Sequence, residues 1–405
     1  MIALVARQPI LDKNLNIFSY ELLFRGKDSE SFNGEQATAQ VIMNTLESIG
    51  FTNLTEGQPA FINFTAELLK QGIPDLLAPE MVYIEVLETV TVDQKLLSGL
   101  ETYKEMGFKI VLDDFVFSED LIPLIKLADY IKIDFIITKG AERKKIITIC
   151  NQYNSDIQYI AEKVETYDEF FAAKDMGFDY FQGFFFTKPK IIKAKKTNSY
   201  ALTFFKMIKE LNKDEPKTKK IEEIIKSDLS MSYSLLRIIN SAHYGYDVKS
   251  IRQAIVLLGV DRLRKWSLLY FLKGLDNEKP DILFKTAILR ANFAESLAGY
   301  FGDNRGENLF VLGLLSVIDA YLDRKLENIL AEISLSNNLK EALIKREGQL
   351  GDLLLFIEAF EKLNLKEAEN YIEKYSINYG MVFDNYSTAL EKTKDIVEAF
   401  ENNKL

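Results

Sequence analysis

Histidine and cysteine are almost absent from this 405-residue chain, which has one of each, His243 and Cys150. One histidine cannot furnish a His-rich zinc or iron centre, or the base of a Ser/His or Cys/His hydrolase together with its partners. Any hydrolytic chemistry must therefore rest on carboxylates. One cysteine forms no intramolecular disulfide, and a reducing, cytoplasmic setting is expected. Long apolar runs are missing as well. None reaches about 18 residues without a charge, so no membrane-spanning helix is expected. The opening MIALVARQPI is broken by Arg7 and does not read as a secretory signal. Positive charge is in deficit, with 50 Lys and Arg against 60 Asp and Glu. The net charge of −10 argues against a nucleic-acid polymer or an anionic membrane as partner and is compatible with a bound divalent cation.

What is present is a core: 47% of residues are hydrophobic, and only 8 are proline, which excludes disorder and collagen-like structure. The length suits two domains, or a large barrel with a smaller unit. The charge is uneven. Residues 1–190 hold 18 basic and 29 acidic side chains, and the rest of the chain is close to balance.

In the acidic part, short β-branched and aromatic runs alternate with helical stretches. The runs are FINF (61–64), VYIEVLE (82–88), FKIVLDDF (108–115), YIKIDF (130–135), IQYIAEKVE (157–165) and YFQGFFF (180–186). Segments such as 93–107 and 166–177 are amphipathic and end at glycine, as capped helices do. This alternation predicts a parallel sheet, open or closed into a barrel. After TKPK (187–190) the strand-like pattern stops and helical segments run on, including 232–242, 251–272, 282–301 and 308–322. A domain boundary near 190–198 follows.

Polar residues stand at or just past the strand ends: Asn63, Glu85, Asp113 with Asp114, Lys132, Glu162 and Gln182, at intervals of 22, 28, 19, 30 and 20 residues. In a barrel, all C-terminal strand ends meet at one rim, so residues spread over about 120 positions can share a site. Each carboxylate alone could equally be a helix N-cap in a βα loop. Six consecutive units are harder to explain that way, and a cap does not need Lys132 between two isoleucines. Oxygen donors without histidine or thiolate suit Mg²⁺ or Mn²⁺ rather than Zn²⁺. Paired cations of this kind activate water in phosphodiester hydrolysis, with a lysine balancing transition-state charge.

The pieces QPI (8–10), ELLFR (21–25), INFT (62–65), EVLE (85–88), LDDF (112–115), IKID (131–134), AEKVE (161–165) and QGFFFTKP (182–189), in this order, resemble the EAL domain of cyclic di-GMP phosphodiesterases. The resemblance covers nearly all of residues 1–190. It implies a TIM-like (β/α)8 barrel over residues 1–192 and hydrolysis of cyclic di-GMP to pGpG with Mg²⁺ or Mn²⁺. By position, Glu21, Asn63, Glu85, Asp113 and Asp114 would be the metal ligands, and Lys132 would contact the attacking water. Glu162 would support metal or water, and Glu88 would anchor the loop after Asp114. Gln8 and Arg25 would touch base and phosphate, and Gln182 would complete the site.

Departures from the family pattern cluster in that loop, DDFVFSED, where Val116 replaces a glycine and the span to Lys132 is slightly short. Leu87 replaces the usual threonine before Glu88, and Lys163 in AEKVE replaces a glycine. An alternative class therefore stands beside the enzyme: a non-catalytic signalling protein whose degenerate EAL domain binds cyclic di-GMP or a protein.

Residues 224–265, with NSAHYG and AIVLLGVDRLR, resemble the HDOD domain, a helical relative of the HD phosphohydrolases. This implies an all-α domain over 193–405. The metal-binding His-Asp pair of the HD fold would fall in GLLSVID (313–319), where Ser316 and Val317 stand instead. No second hydrolase centre is expected. The half reads as a regulatory or partner-binding module for an unidentified protein, and a homodimer is compatible with it. Residues 1–192 are expected to fold on their own.

Overall fold

The computed structural model describes residues 3–26, 51–88, 90–189, 199–213, 215–240, 248–274, 279–302, 306–333 and 335–401. The chain divides into two compact units: Met1–Phe186 with Glu358–Ser387, and Thr187–Ile357 with Thr388–Leu405.

In the first unit eight strands close into a barrel in sequence order: β1 (Ala3–Leu11), β2 (Ile17–Gly26), β3 (Ala60–Phe64), β4 (Val82–Val86), β5 (Lys109–Leu112), β6 (Tyr130–Asp134), β7 (Gln158–Glu162) and β8 (Tyr180–Gln182). The six runs singled out in the sequence are β3 to β8. The β1–β2 hairpin is the addition. Its β1 runs antiparallel to both neighbours, β2 and β8, while all other pairs are parallel. The reason is local. Only five residues link β1 to β2, far fewer than a parallel crossover needs. Asp12 closes that turn by accepting from the Asn14 and Asn16 backbone amides at 2.8 and 2.9 Å.

Strand alternation sorts the barrel interior into two layers. The lower layer is an apolar plug of Ile10, Phe61, Val111, Tyr130 and Ile160, packed against Phe18, Tyr83 and Tyr180. Its rings are tightly set, with Phe18 and Tyr180 stacked at 3.9 Å and Tyr83 and Tyr130 at 5.4 Å between centroids. Two residues farther along each parallel strand, the same face carries Asn63, Glu85, Asp113, Lys132, Glu162 and Gln182. A dry floor thus underlies a polar rim.

One glycine is obligatory in this arrangement. Gly183 has φ +143°, and a β-carbon there would lie 2.0 Å from the Val164 carbonyl oxygen. The close approach lets the Val164 amide donate to the Gln182 carbonyl at 2.9 Å, which fixes the end of β8.

The returning segment Glu358–Ser387 contributes the helix Leu365–Lys374 and the start of the helix Tyr379–Glu401. Tyr386 is buried, its ring 4.9 Å from that of Phe360. Burial pushes its hydroxyl up to about 12, against the pull of the Arg7 guanidinium that it meets. Arg7 lies 4.4 Å over the Tyr20 ring and pairs with Glu56 at 3.0 Å.

The second unit is helical in its described residues. Met207, Leu211, Ile221, Ile225, Leu235, Ile239, Leu258 and Trp266 belong to one core cluster. The stretch read as one helix over 251–272 forms Ile251–Gly274 but is interrupted at Gly259, whose φ of +73° is left-handed and opens no clash at that position. Ser316 donates to the Gly313 carbonyl at 2.7 Å and accepts from Arg290 at 3.1 Å, so a guanidinium faces the serine at the expected His-Asp position. His243 lies outside the described residues. Among the described residues no helix is long and apolar enough to cross a membrane.

Candidate active site

The rim residues converge on one nitrogen. Lys132, with no exposed surface, pairs through Nζ with Glu21 at 3.0 Å, Asp113 at 3.1 Å, Glu162 at 2.7 Å and also with Glu85. Register brings several of these together: Asn63 is directly opposite Glu85 across β3 and β4, and Gln8 opposite Glu21 across β1 and β2. Glu21 is the hub on the hairpin side. It accepts from Asn63 Nδ2 at 3.3 Å and from Gln182 Nε2 at 2.7 Å, and Gln182 also donates to Gln8 Oε1 at 2.8 Å.

Electrostatics follow from burying several carboxylates around one ammonium. Burial would lower Lys132, but Asp113, Glu162, Glu21 and Glu85 outweigh it and hold the ammonium well above its usual range. For Asp113, burial is likewise outweighed, here by Lys132, and the carboxyl sits below its ordinary value. Glu85 goes the other way. Burial lifts it well above the carboxylate range against Lys132, and Asp113, Glu21 and Glu162 push in the same direction. Burial raises Glu162 to about 8, opposed by Lys132 and helped by Asp113 and Glu21. The cation-free site therefore favours a charged Lys132–Asp113 pair, with Glu85 and Glu162 pushed toward their protonated forms.

This makes a measurable prediction. Glu162 rises from 4.5 to about 8 on folding, so folding takes up a proton between those values. Its contribution to stability is complete below about pH 4.5 and is lost as pH rises through about 8. In excess EDTA the wild-type melting temperature is expected to fall more steeply than that of Glu162→Gln between about pH 5 and 8. Equal slopes would place the proton elsewhere.

Four buried oxygens, Asn63 Oδ1, Glu85 Oε2, Glu162 Oε2 and Gln182 Oε1, have no hydrogen-bond partner. Unpartnered buried acceptors are costly, and an all-oxygen acceptor set beside surplus carboxylates is the donor chemistry of a hard divalent cation. Farther out, one oxygen each of Glu88, Asp113 and Asp114 lie within 4.8 Å of one another, a second group able to hold a cation.

Asp113, Glu21, Asn63, Glu85, Lys132, Glu162, Gln182 and Gln8 thus form one connected centre, with Asp114 and Glu88 at its edge. Glu88 is exposed and stands with the aspartates. The shortened loop is also tied by Phe115, buried, whose amide donates to the Lys132 carbonyl at 3.0 Å. The side chain of Arg25 lies outside the described residues. Two residues not singled out as site residues join the edge. Lys163 reaches Asp114 and Asp134, and Asp134 accepts from the Ile137 amide at 3.0 Å. Asp134 was visible in the sequence only as the last residue of IKID.

Fold and donor set together define a barrel protein fitted to hard divalent cations at the ends of its strands. The EAL domain family matches residues 43–189 and the HDOD domain family residues 199–355. The uncharacterized protein YuxH of Bacillus subtilis is 32% identical over 413 residues, covering 98% of this chain and 99% of its own. The cyclic di-GMP phosphodiesterase CdgJ of Vibrio cholerae is 33% identical over 379 residues, 91% of this chain and 87% of its own. The chain belongs to this family of proteins that join an EAL domain to an HDOD domain. Among solved structures, the PaMucR phosphodiesterase in complex with c-di-GMP covers 46% of this chain and 95% of its own at 21% identity and a TM-score of 0.39. An EAL domain protein of Listeria monocytogenes covers 45% and 87% at 21% identity and a TM-score of 0.37.

Proposed function

We propose that this protein is a cytoplasmic cyclic di-GMP phosphodiesterase that hydrolyses one phosphodiester of the cyclic dinucleotide to give linear pGpG. In this reading residues 1–192 carry the chemistry and the HDOD half, 193–405, regulates it or binds a protein partner. The observation that carries the reading is the ring of Glu21, Glu85, Asp113 and Glu162 around the buried Lys132, bordered by oxygens that lack partners. Kinship with CdgJ supports the choice of substrate.

Glu21, Asn63, Glu85, Asp113 and Asp114 would hold Mg²⁺ or Mn²⁺, with Glu88 beside Asp113 and Asp114. Such cations supply a water of lowered pKa and neutralise phosphoryl charge. Lys132, held rigidly by its four acceptors, orients the attacking water and opposes the negative charge that develops on the phosphoryl oxygens. The water oxygen bonds to phosphorus, the P–O3′ bond breaks, and the departing oxygen takes up a proton. Glu162, buried beside Lys132, is placed to exchange a proton with the water. The linked amides of Gln8 and Gln182 close the hairpin side of the centre, and Arg25 is suited to pair a phosphate.

Incubating the purified protein with cyclic di-GMP and Mn²⁺, and separating the products by chromatography, should give pGpG, and excess EDTA should stop its formation. Intact nucleotide that nevertheless binds the protein would establish the non-catalytic signalling alternative, which the departures at Leu87 and Val116 favour.

A further inference from the structure

Lys163 follows β7 directly, where its φ of +53° is one that glycine adopts without cost and a side chain does not. Asp114, across from it, is also left-handed at φ +40°. The two strained positions are joined: Lys163 Nζ stands 3.3 Å from Asp114 Oδ1 and pairs with Asp134 as well. Asp134 is a fixed post, its side chain 4% exposed and held by the backbone amides of Ile136 and Ile137. Asp114 is one of the three residues whose carboxylate oxygens cluster within 4.8 Å.

We infer that the Lys163 ammonium is a built-in rival of the outer cation: it occupies the flank of the Glu88–Asp113–Asp114 group and makes that position the weaker of two for Mg²⁺ or Mn²⁺. The inference rests on the divalent-cation reading given above. Its physical basis is charge. Three clustered carboxylates repel one another, and an ammonium on Asp114 relieves that repulsion without a metal. A divalent ion then gains less from arriving and is repelled by the positive neighbour. Lys163 is 46% exposed and Asp114 29%, so water screens the effect strongly, and a change of about tenfold in affinity is the size expected for one charge beside a doubly charged ion. The inner position is already served by the buried Lys132, while Lys163 pairs directly with Asp114 of the outer group, so the inner position should respond less to this ammonium.

Mn²⁺ titrations of the full chain, read by the loss of the free-ion electron paramagnetic resonance signal, test this without any turnover. The wild type should bind one Mn²⁺ more tightly than a second. Lys163→Gly and Lys163→Met should each tighten the second by about tenfold and change the first much less, whereas Lys163→Arg, which keeps the charge, should resemble the wild type. Glycine suits the backbone at this position, so Lys163→Gly is expected to stay folded, which its melting curve checks. Glycine and methionine variants whose second Mn²⁺ is bound as in the wild type, or more weakly, would overturn the inference. A wild type that binds no Mn²⁺ at all would instead overturn the divalent-cation reading, and this inference with it.

Discussion

Lys132→Met is expected to lower the stability of the metal-free protein by about 3–5 kcal/mol, the cost of leaving buried carboxylates without their cation. Methionine matches the length and volume of the lysine stem, so the loss would report charge rather than a cavity. Glu21, Glu85, Asp113 and Glu162 would then face one another with no positive group among them. Mn²⁺ should restore much of the lost melting temperature, because a bound cation replaces the missing countercharge and stabilises the folded state by mass action. Turnover should stay low even in saturating Mn²⁺, by about 10²–10³-fold, since the group proposed to oppose phosphoryl charge is gone. Melting curves in EDTA and in Mn²⁺, measured beside rates of pGpG formation, separate the two effects. A variant that melts with the wild type in EDTA would show that the carboxylates are neutral without Lys132.

Glu21→Ala should reduce turnover by about 10³-fold or more while weakening cyclic di-GMP binding much less. Glu21 accepts from Lys132, Asn63 and Gln182, so its removal takes one partner from each of three side chains and would take a ligand oxygen from the proposed inner cation position. Interactions made only in the transition state should suffer most. Guanidinium pairing with a phosphate needs no metal, and Arg25 would still provide it. The check is the rate of pGpG formation set against affinity from calorimetry, in the same Mn²⁺ buffer. Wild-type turnover in the variant would remove Glu21 from the centre.

The rim was legible in the sequence because strand alternation writes depth into spacing. Tyr83 and Glu85, Tyr130 and Lys132, Tyr180 and Gln182 each place a ring in the plug and a polar group two residues farther along the same face. Lys132 between Ile131 and Ile133 follows the same alternation, which a helix cap does not explain. What stayed hidden depends on contacts that no local pattern encodes. The direction of β1 is set by a five-residue turn, yet QPI and ELLFR in isolation look like any two strands. Glu88 next to the aspartates, and Lys163 between Asp114 and Asp134, are meetings of separate βα loops. Within Ile251–Gly274 the helical periodicity persists on both sides of Gly259, so the break at that glycine left no gap in the pattern.

The unit that contains the barrel is assembled from two stretches of chain separated by most of the helical half. Synthesis runs from the N-terminus at about 5–20 residues per second, so Tyr386 leaves the ribosome on the order of ten to forty seconds after β8 is complete. Through that interval Arg7 and Tyr20 must wait without the phenol that later meets them. The nascent barrel spends its first seconds with a charged seam open on the very hairpin that carries Gln8 and Glu21. That is a window in which a chaperone or a proteolytic enzyme can meet Arg7 and Tyr20 before their burial is complete.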